Sequence, residues 1–197
     1  MLTKDKIIDS KDKLDDWLKY ELLPYGRSSV LSFLGIREVD ILRKHQLLLR
    51  KTEYYLNTGH KILYLISRIK LRKLQNKYCL HIPLNCCGRG LRIMHTGPIL
   101  MNNRVTVGEN CRFHINTALV AAGTNDDVPT LGDGVVMGIG AVALGGIYIA
   151  DNIAIGANAV VNKSFTEENI SIAGVPAKKI SDHGSKTWGR NRILDID

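Results

Sequence analysis

From Ile93 onward the chain repeats with a period of six. Every sixth position, namely Ile93, Ile99, Val105, Cys111, Thr117 and then Val135, Ala141, Ile147, Ile153, Ala159 and Phe165, carries a compact, buriable side chain. The intervening members, Gly123 and Pro129, fall where the pattern pauses. A second register, four residues before each of these, holds Met101, Val107, Phe113, Leu119, Leu131, Met137, Ala143, Ile149, Ile155 and Val161. Both registers keep phase across Asn125-Asp-Asp-Val-Pro129, because Leu119 and Leu131 are two sixes apart. A period of six is foreign to a helix and is three times the strand period, so it predicts a solenoid with three flat faces per coil. Small or branched residues fill the narrow triangular core, and glycine serves where the chain turns a corner, as in Val107-Gly108, Leu131-Gly132, Met137-Gly138 and Ile155-Gly156. Residues 89–166 leave room for roughly four coils, each rising about one strand spacing of ~4.8 Å.

Before residue 79 the pattern is helical. Apolar residues recur at three- and four-residue steps over Asp5 to Leu23, ending at Pro24-Tyr-Gly26; over Arg37 to Leu56, closing at Asn57-Thr-Gly59; and over His60 to Lys77. The predicted architecture is therefore α+β: a helical module over residues 1–78, a parallel β-helix over 79–180, and a tail over 181–197 in which Trp188 sits among Gly, Lys and Arg without a motif.

Charge divides at the same boundary. Residues 1–78 hold 17 Lys and Arg against 9 Asp and Glu, whereas residues 79–197 hold 10 of each, so the whole net charge of +8 lies in the helical module. No nucleic-acid motif accompanies it and its aromatics sit in helical packing patterns, which argues against nucleic acid. Two readings fit the basic helix Lys61 to Lys77: a peripheral contact with an anionic membrane, and a solvated face on a trimerising cap. No apolar run reaches the roughly 18–20 residues of a membrane span, and Met1-Leu-Thr-Lys-Asp-Lys leads into charged sequence, so the expectation is a cytoplasmic protein. Cys79, Cys86, Cys87 and Cys111 have neither zinc-ligand nor redox-pair spacing and read as reduced, mostly buried residues, with no metal expected.

The six-residue pattern, closed by Gly174-Val-Pro176-Ala-Lys-Lys179, resembles the hexapeptide-repeat acyltransferases, and in particular their serine acetyltransferase-like branch, which includes polysaccharide O-acetyltransferases. The resemblance rests on Ile82-Pro-Leu-Asn85, Gly88 to Gly97, Gly108 to His114 and Ile155 to Val161. It implies a left-handed β-helix, a homotrimer, and acetyl-CoA as co-substrate in the groove between neighbouring coils.

Acyl transfer to a hydroxyl needs a base, and histidine titrates near neutrality. The resemblance places that base at His95, in Met-His-Thr-Gly; the residue also falls in the second register, where a polar side chain belongs only if it points out of the coil. His114, nineteen residues on, should lie one rung along near the same edge. It is read as an acceptor contact, as part of a site shared across the trimer interface, or as an exposed solenoid histidine. On the acetyl-CoA side, the resemblance implies that backbone amides near Gly123, Gly138, Gly140 and Ala141 run beside the pantetheine arm, and that Lys163, Lys178 and Lys179 meet the phosphates. Asp126 and Asp127, in the interrupting loop, either contact an acceptor or are simply solvated.

Three departures bear on the acceptor. Serine acetyltransferases carry an aspartate before the catalytic histidine, where this chain has Met94; a second, orienting aspartate aligns near Leu80; and an Arg-His pair aligns with Asp127-Val128. The features that grip a zwitterionic amino acid are missing, and the residue that orients His95 is unidentified, a backbone carbonyl being one option. The sequence thus predicts an acetyl-CoA-dependent O-acetyltransferase acting on a sugar hydroxyl of a surface polysaccharide or its precursor. The alternatives are a serine O-acetyltransferase of cysteine biosynthesis and a non-catalytic glycan-binding β-helix.

Overall fold

A computed structural model of the chain describes residues 6–26 and 37–187. Trp188 and the rest of the tail to residue 197 lie outside the described residues. Three helices come first: α1 (Lys11–Leu22), α2 (Glu38–Asn57) and α3 (Lys61–Tyr78). Each boundary has a local cause. The Ser10 side chain accepts from the Lys13 N–H at the start of α1. Pro24 continues α1 only as a single 3₁₀ turn, Leu23–Tyr25. Cys79 ends α3 in the left-handed conformation, at φ 56°.

The chain then coils, and its strands stack in parallel on three faces. The first face is β1 (Leu80–His81), β3 (Ile99–Met101), β6 (Thr117–Val120), β9 (Val142–Leu144) and β12 (Val160–Val161). The second is β2 (Arg92–Ile93), β5 (Arg112–Phe113), β8 (Val136–Met137), β11 (Ala154–Ile155) and β13 (Ser171–Gly174), closed by the antiparallel β14 (Ala177–Ser181). The third is β4 (Thr106–Val107), β7 (Thr130–Leu131) and β10 (Tyr148–Ile149). Both predicted registers point inward: Ile93, Val105, Cys111, Val135 and Ile153 are buried, as are Val107, Phe113, Met137, Ile149 and Ile155. Glycine is needed at corners such as Gly140, where φ is +73° and a Cβ would stand 2.1 Å from Asn158 Oδ1 of the next coil.

The helices close the open end of the solenoid, where backbone groups would otherwise lack partners. Arg50 is fully buried and is the pivot. Its guanidinium donates to Glu21 and Glu53 and to the carbonyls of Cys87 and Gly88, all at 2.8–3.0 Å. Glu21 in turn accepts from the Gly90 N–H, and Glu53 from the Asn85 N–H. The Tyr25 hydroxyl donates to the Ile93 carbonyl and accepts from the Ile93 N–H, both at 3.1 Å. Such an ion cluster is tolerated in the interior because nearly every polar group in it is matched. It fixes α2 against the first coils, and so decides what lies beside the corner after β2. No described helix is long and apolar enough to cross a membrane.

Candidate active site

His95 and its neighbours occupy the corner between β2 and β3. In the next coil, Phe113 and Thr117 bound the equivalent corner four residues apart, but Ile93 and Ile99, which pair with them, are six apart. The corner Met94 to Pro98 thus carries two extra residues. The inward pair before it is Leu91 and Ile93, not Ile93 and His95, so the strict six-residue phase slips here. This slip puts His95 outside the core, with its side chain 46% exposed.

The group facing it is Glu38, from the first turn of α2. Glu38 Oε2 lies 3.1 Å from His95 Nδ1. Glu38 Oε1 accepts from the Thr96 N–H at 2.7 Å and from the Thr96 hydroxyl at 2.9 Å. Partial burial alone would raise the Glu38 carboxyl, but the Thr96 N–H, the His95 ring and the Thr96 hydroxyl together hold it below its ordinary value. The helix N-terminus favours the same anionic form. Facing an ionised carboxylate, Nδ1 must donate, which leaves Nε2 as the basic nitrogen of His95. The orienting residue is therefore a side-chain carboxylate and not the backbone carbonyl considered above. It stands 57 positions from its partner and in the other module, where no sequence spacing could reveal it.

His114 stands one rung along, its ring centroid 6.3 Å from that of His95. Its Nδ1 is buried and has no hydrogen-bond partner among the described residues. Burial first, and the neighbouring His95 second, push its pKa down and keep the imidazole neutral. Gly138 follows on the next rung of the same corner, since the His114 N–H donates to the Met137 carbonyl, with Gly140 and Ala141 completing the turn into β9. The structure thus brings His95, His114, Gly138, Gly140 and Ala141 along one corner.

The other predicted residues lie elsewhere. Gly123 follows β6 and Lys163 follows β12, both beyond the C-terminal ends of first-sheet strands, whereas the His95 corner precedes the N-terminal end of β3; the Lys163 ammonium sits over the Phe165 ring at 5.4 Å. Lys178 and Lys179 are on β14. The Lys179 ammonium is held by Glu167 and Asp182, which raises its pKa. Asp126 and Asp127 line an open groove of about 550 Å³ with Arg104 and Tyr148. A deeper cleft of about 400 Å³, bordered by Tyr20, Arg92, Arg112 and Asp133, contains none of the expected residues. Its chemistry is that of the helix–coil junction, whereas a paired acid and base occur at the β2–β3 corner. Among the described residues no three His, Cys, Asp or Glu side chains gather as metal ligands.

Comparison with known proteins agrees with the fold. No protein-family model matches the chain. The serine acetyltransferase of Buchnera aphidicola is 32% identical over 145 residues, 71% of this chain and 51% of that protein. The serine acetyltransferase of Helicobacter pylori strain J99 is 34% identical over 96 residues, 48% of this chain and 56% of that protein. The chain thus spans about half the length of these curated relatives. Among solved structures, the serine acetyltransferase of Brucella abortus in complex with coenzyme A superposes with a TM-score of 0.64 at 23% identity, covering 88% of this chain and 70% of that one. A serine acetyltransferase bound to cysteine gives 0.63 at 19% identity, covering 87% and 71%. The serine complex from Neisseria gonorrhoeae gives 0.54 at 22%, covering 87% and 71%. The fold is the left-handed parallel β-helix with a helical N-terminal part that these structures share.

The same comparisons correct the expected acceptor. The relatives act on serine, and the solved neighbours hold serine, cysteine or coenzyme A, so polysaccharide O-acetylation and a sugar partner are overturned in favour of the serine alternative. Of the missing features, the orienting aspartate has a substitute that the sequence did not reveal. Leu80 is fully buried in the coil and offers no carboxylate, but Glu38 brings one to His95 from a different element.

Proposed function

Taking the likeness to serine acetyltransferases as the premise, we propose that the chain is an acetyl-CoA-dependent O-acetyltransferase with L-serine as acceptor. The observation that carries this reading is the Glu38–His95 pair at a corner of the β-helix. His95 Nε2 takes the proton of the acceptor hydroxyl as its oxygen attacks the thioester carbonyl. The Glu38 carboxylate holds the ring by Nδ1 and stabilises the imidazolium that forms. Collapse of the tetrahedral intermediate expels the CoA thiolate, which recovers the proton from His95, so no covalent acyl-enzyme is required. The neutral His114 ring, 6.3 Å away, is placed to hydrogen-bond the acceptor or the developing oxyanion. Gly138, Gly140 and Ala141 continue the same corner on the next rung, and we place the pantetheine arm along their backbone.

Association fits the exposed apolar stripe on the first sheet. Leu100 is 51% exposed, and Ala118 and Val142, its partners on successive rungs, are half-buried. This stripe begins beside the His95 corner, so a homotrimer packed through it would bring a neighbouring coil to the site and complete the acetyl-CoA groove.

The test is the rate of CoA release from acetyl-CoA with L-serine, against a blank without acceptor. A serine-dependent rate that disappears in His95→Ala is the expected result. A rate equal to the blank at millimolar serine would refute the acceptor assignment.

A further inference from the structure

The surface of α3 makes a demand that the acetyl-transfer reading does not meet. One face of the helix, with Ser67, Leu71 and Gln75, is buried. On the opposite face Ile62, Leu65, Ile66 and Ile69 are 76%, 59%, 46% and 48% exposed. Their spacing of three, four and seven residues sets them in one stripe over the first two turns. Beyond it, the exposed positions Lys70, Arg72, Lys73 and Lys77 replace aliphatic side chains with cations. The helix carries six Lys and Arg and no Asp or Glu, and no acidic residue occurs anywhere between Glu53 and Glu109. Among the described residues, none of these six cations is in an ion pair.

We propose that α3 is a docking surface for an anionic lipid bilayer, lying flat with its aliphatic stripe in the headgroup–acyl boundary and its basic turns on the lipid phosphates. Charge decides the occupant. A second copy packed α3 to α3 would set six cations against six with no anion to separate them, whereas anionic headgroups neutralise each one. Water is an equally poor occupant, because four neighbouring aliphatic side chains stay exposed on a helix that already has a buried face. At 18 residues with a charged C-terminal half, the helix lies on the surface and does not span it.

The experiment is co-sedimentation of the purified full chain with large unilamellar vesicles of phosphatidylcholine alone and of phosphatidylcholine with 30% phosphatidylglycerol, at low salt and at 0.5 M NaCl. The expected result is binding at least about tenfold stronger to the anionic vesicles, weakened by salt. The combination Ile62→Ser, Ile66→Ser and Ile69→Ser, and separately Lys70→Glu with Lys73→Glu, should each reduce that binding about tenfold or more. Both sets change exposed residues that form no hydrogen bond or ion pair with Glu38 or His95, so CoA release and the melting temperature should stay those of the parent. Equal or absent binding to both vesicle types overturns the proposal, as does anionic binding that both variants leave intact. A change of oligomeric state in lipid-free buffer on replacing the three isoleucines also overturns it, since α3 would then be covered by another copy.

Discussion

Replacing Glu38 by Gln tests the acid–base pair more sharply than removing it. In the native site Oε1 accepts two hydrogen bonds from Thr96 and Oε2 accepts one from His95 Nδ1. Glutamine has one oxygen. Among the described residues the Thr96 N–H has no other acceptor, so that oxygen stays with Thr96 and the new amide N–H₂ turns toward His95. Nδ1 is then held as an acceptor, and the ring proton moves to Nε2, the nitrogen that must take the acceptor's proton. Two losses add. The carboxylate–imidazolium attraction, with the side chains 26% and 46% exposed and therefore well screened, is worth about 1–2 kcal/mol. Reversing the tautomer against one hydrogen bond costs about another 1–2 kcal/mol. Glu38→Gln should thus lower kcat about 30- to 1000-fold, with KM for acetyl-CoA little changed. Glu38→Ala loses the charge and the acceptor of Thr96 but leaves the tautomer free, so it should fall about 5- to 30-fold. The assay is serine-dependent CoA release, followed with a thiol reagent. The order is the decisive result: the glutamine variant must be slower than the alanine variant. Glutamine equal to wild type would show that Glu38 merely packs against the corner.

Four further outcomes follow from the same geometry. His95→Ala should cost about 10²–10⁴ in kcat without changing the melting temperature; retained turnover would transfer the base to another residue. Arg50→Met leaves Glu21 and Glu53 buried without their cation and should cost about 3–5 kcal/mol, read from the urea midpoint. His45 is fully buried with neither ring nitrogen partnered among the described residues, and burial pushes its pKa down to about 3. As pH falls below the ordinary histidine range, the unfolded chain gains a proton that the native state refuses, so this residue withdraws about 2 kcal/mol of stability between pH 7 and pH 5. His45→Leu should flatten that limb in urea titrations, and an unchanged acid limb would contradict the assignment. At Gly140, alanine meets both a φ of +73° and the Asn158 side chain, and should lower stability by about 1–3 kcal/mol; a neutral result would mean that the corner can relax.

Much of the architecture was written in the local pattern. Residues spaced by six with a compact side chain at Val105, Cys111, Ala141 or Ile153 can be satisfied only by a three-faced coil, because no other period buries them all. The second and third helices fell within a residue or so of their apolar periods and the Gly59 punctuation, and the first ended ahead of Pro24 as expected but began six residues later than Asp5, where Ser10 caps it. His95 was legible as an anomaly, a polar residue in an apolar register. What the pattern concealed was the two-residue slip at Met94 to Pro98, since Ile93 and Ile99 remain six apart in number while the inward pair changes to Leu91 and Ile93. Hidden too was Glu38, whose partner lies in another module and whose position depends on Arg50 fastening α2 to the first coils. Periodicity belongs to neighbours along the chain and is therefore carried by the sequence itself. A hydrogen bond across 57 residues belongs to packing, and only the folded chain decides it.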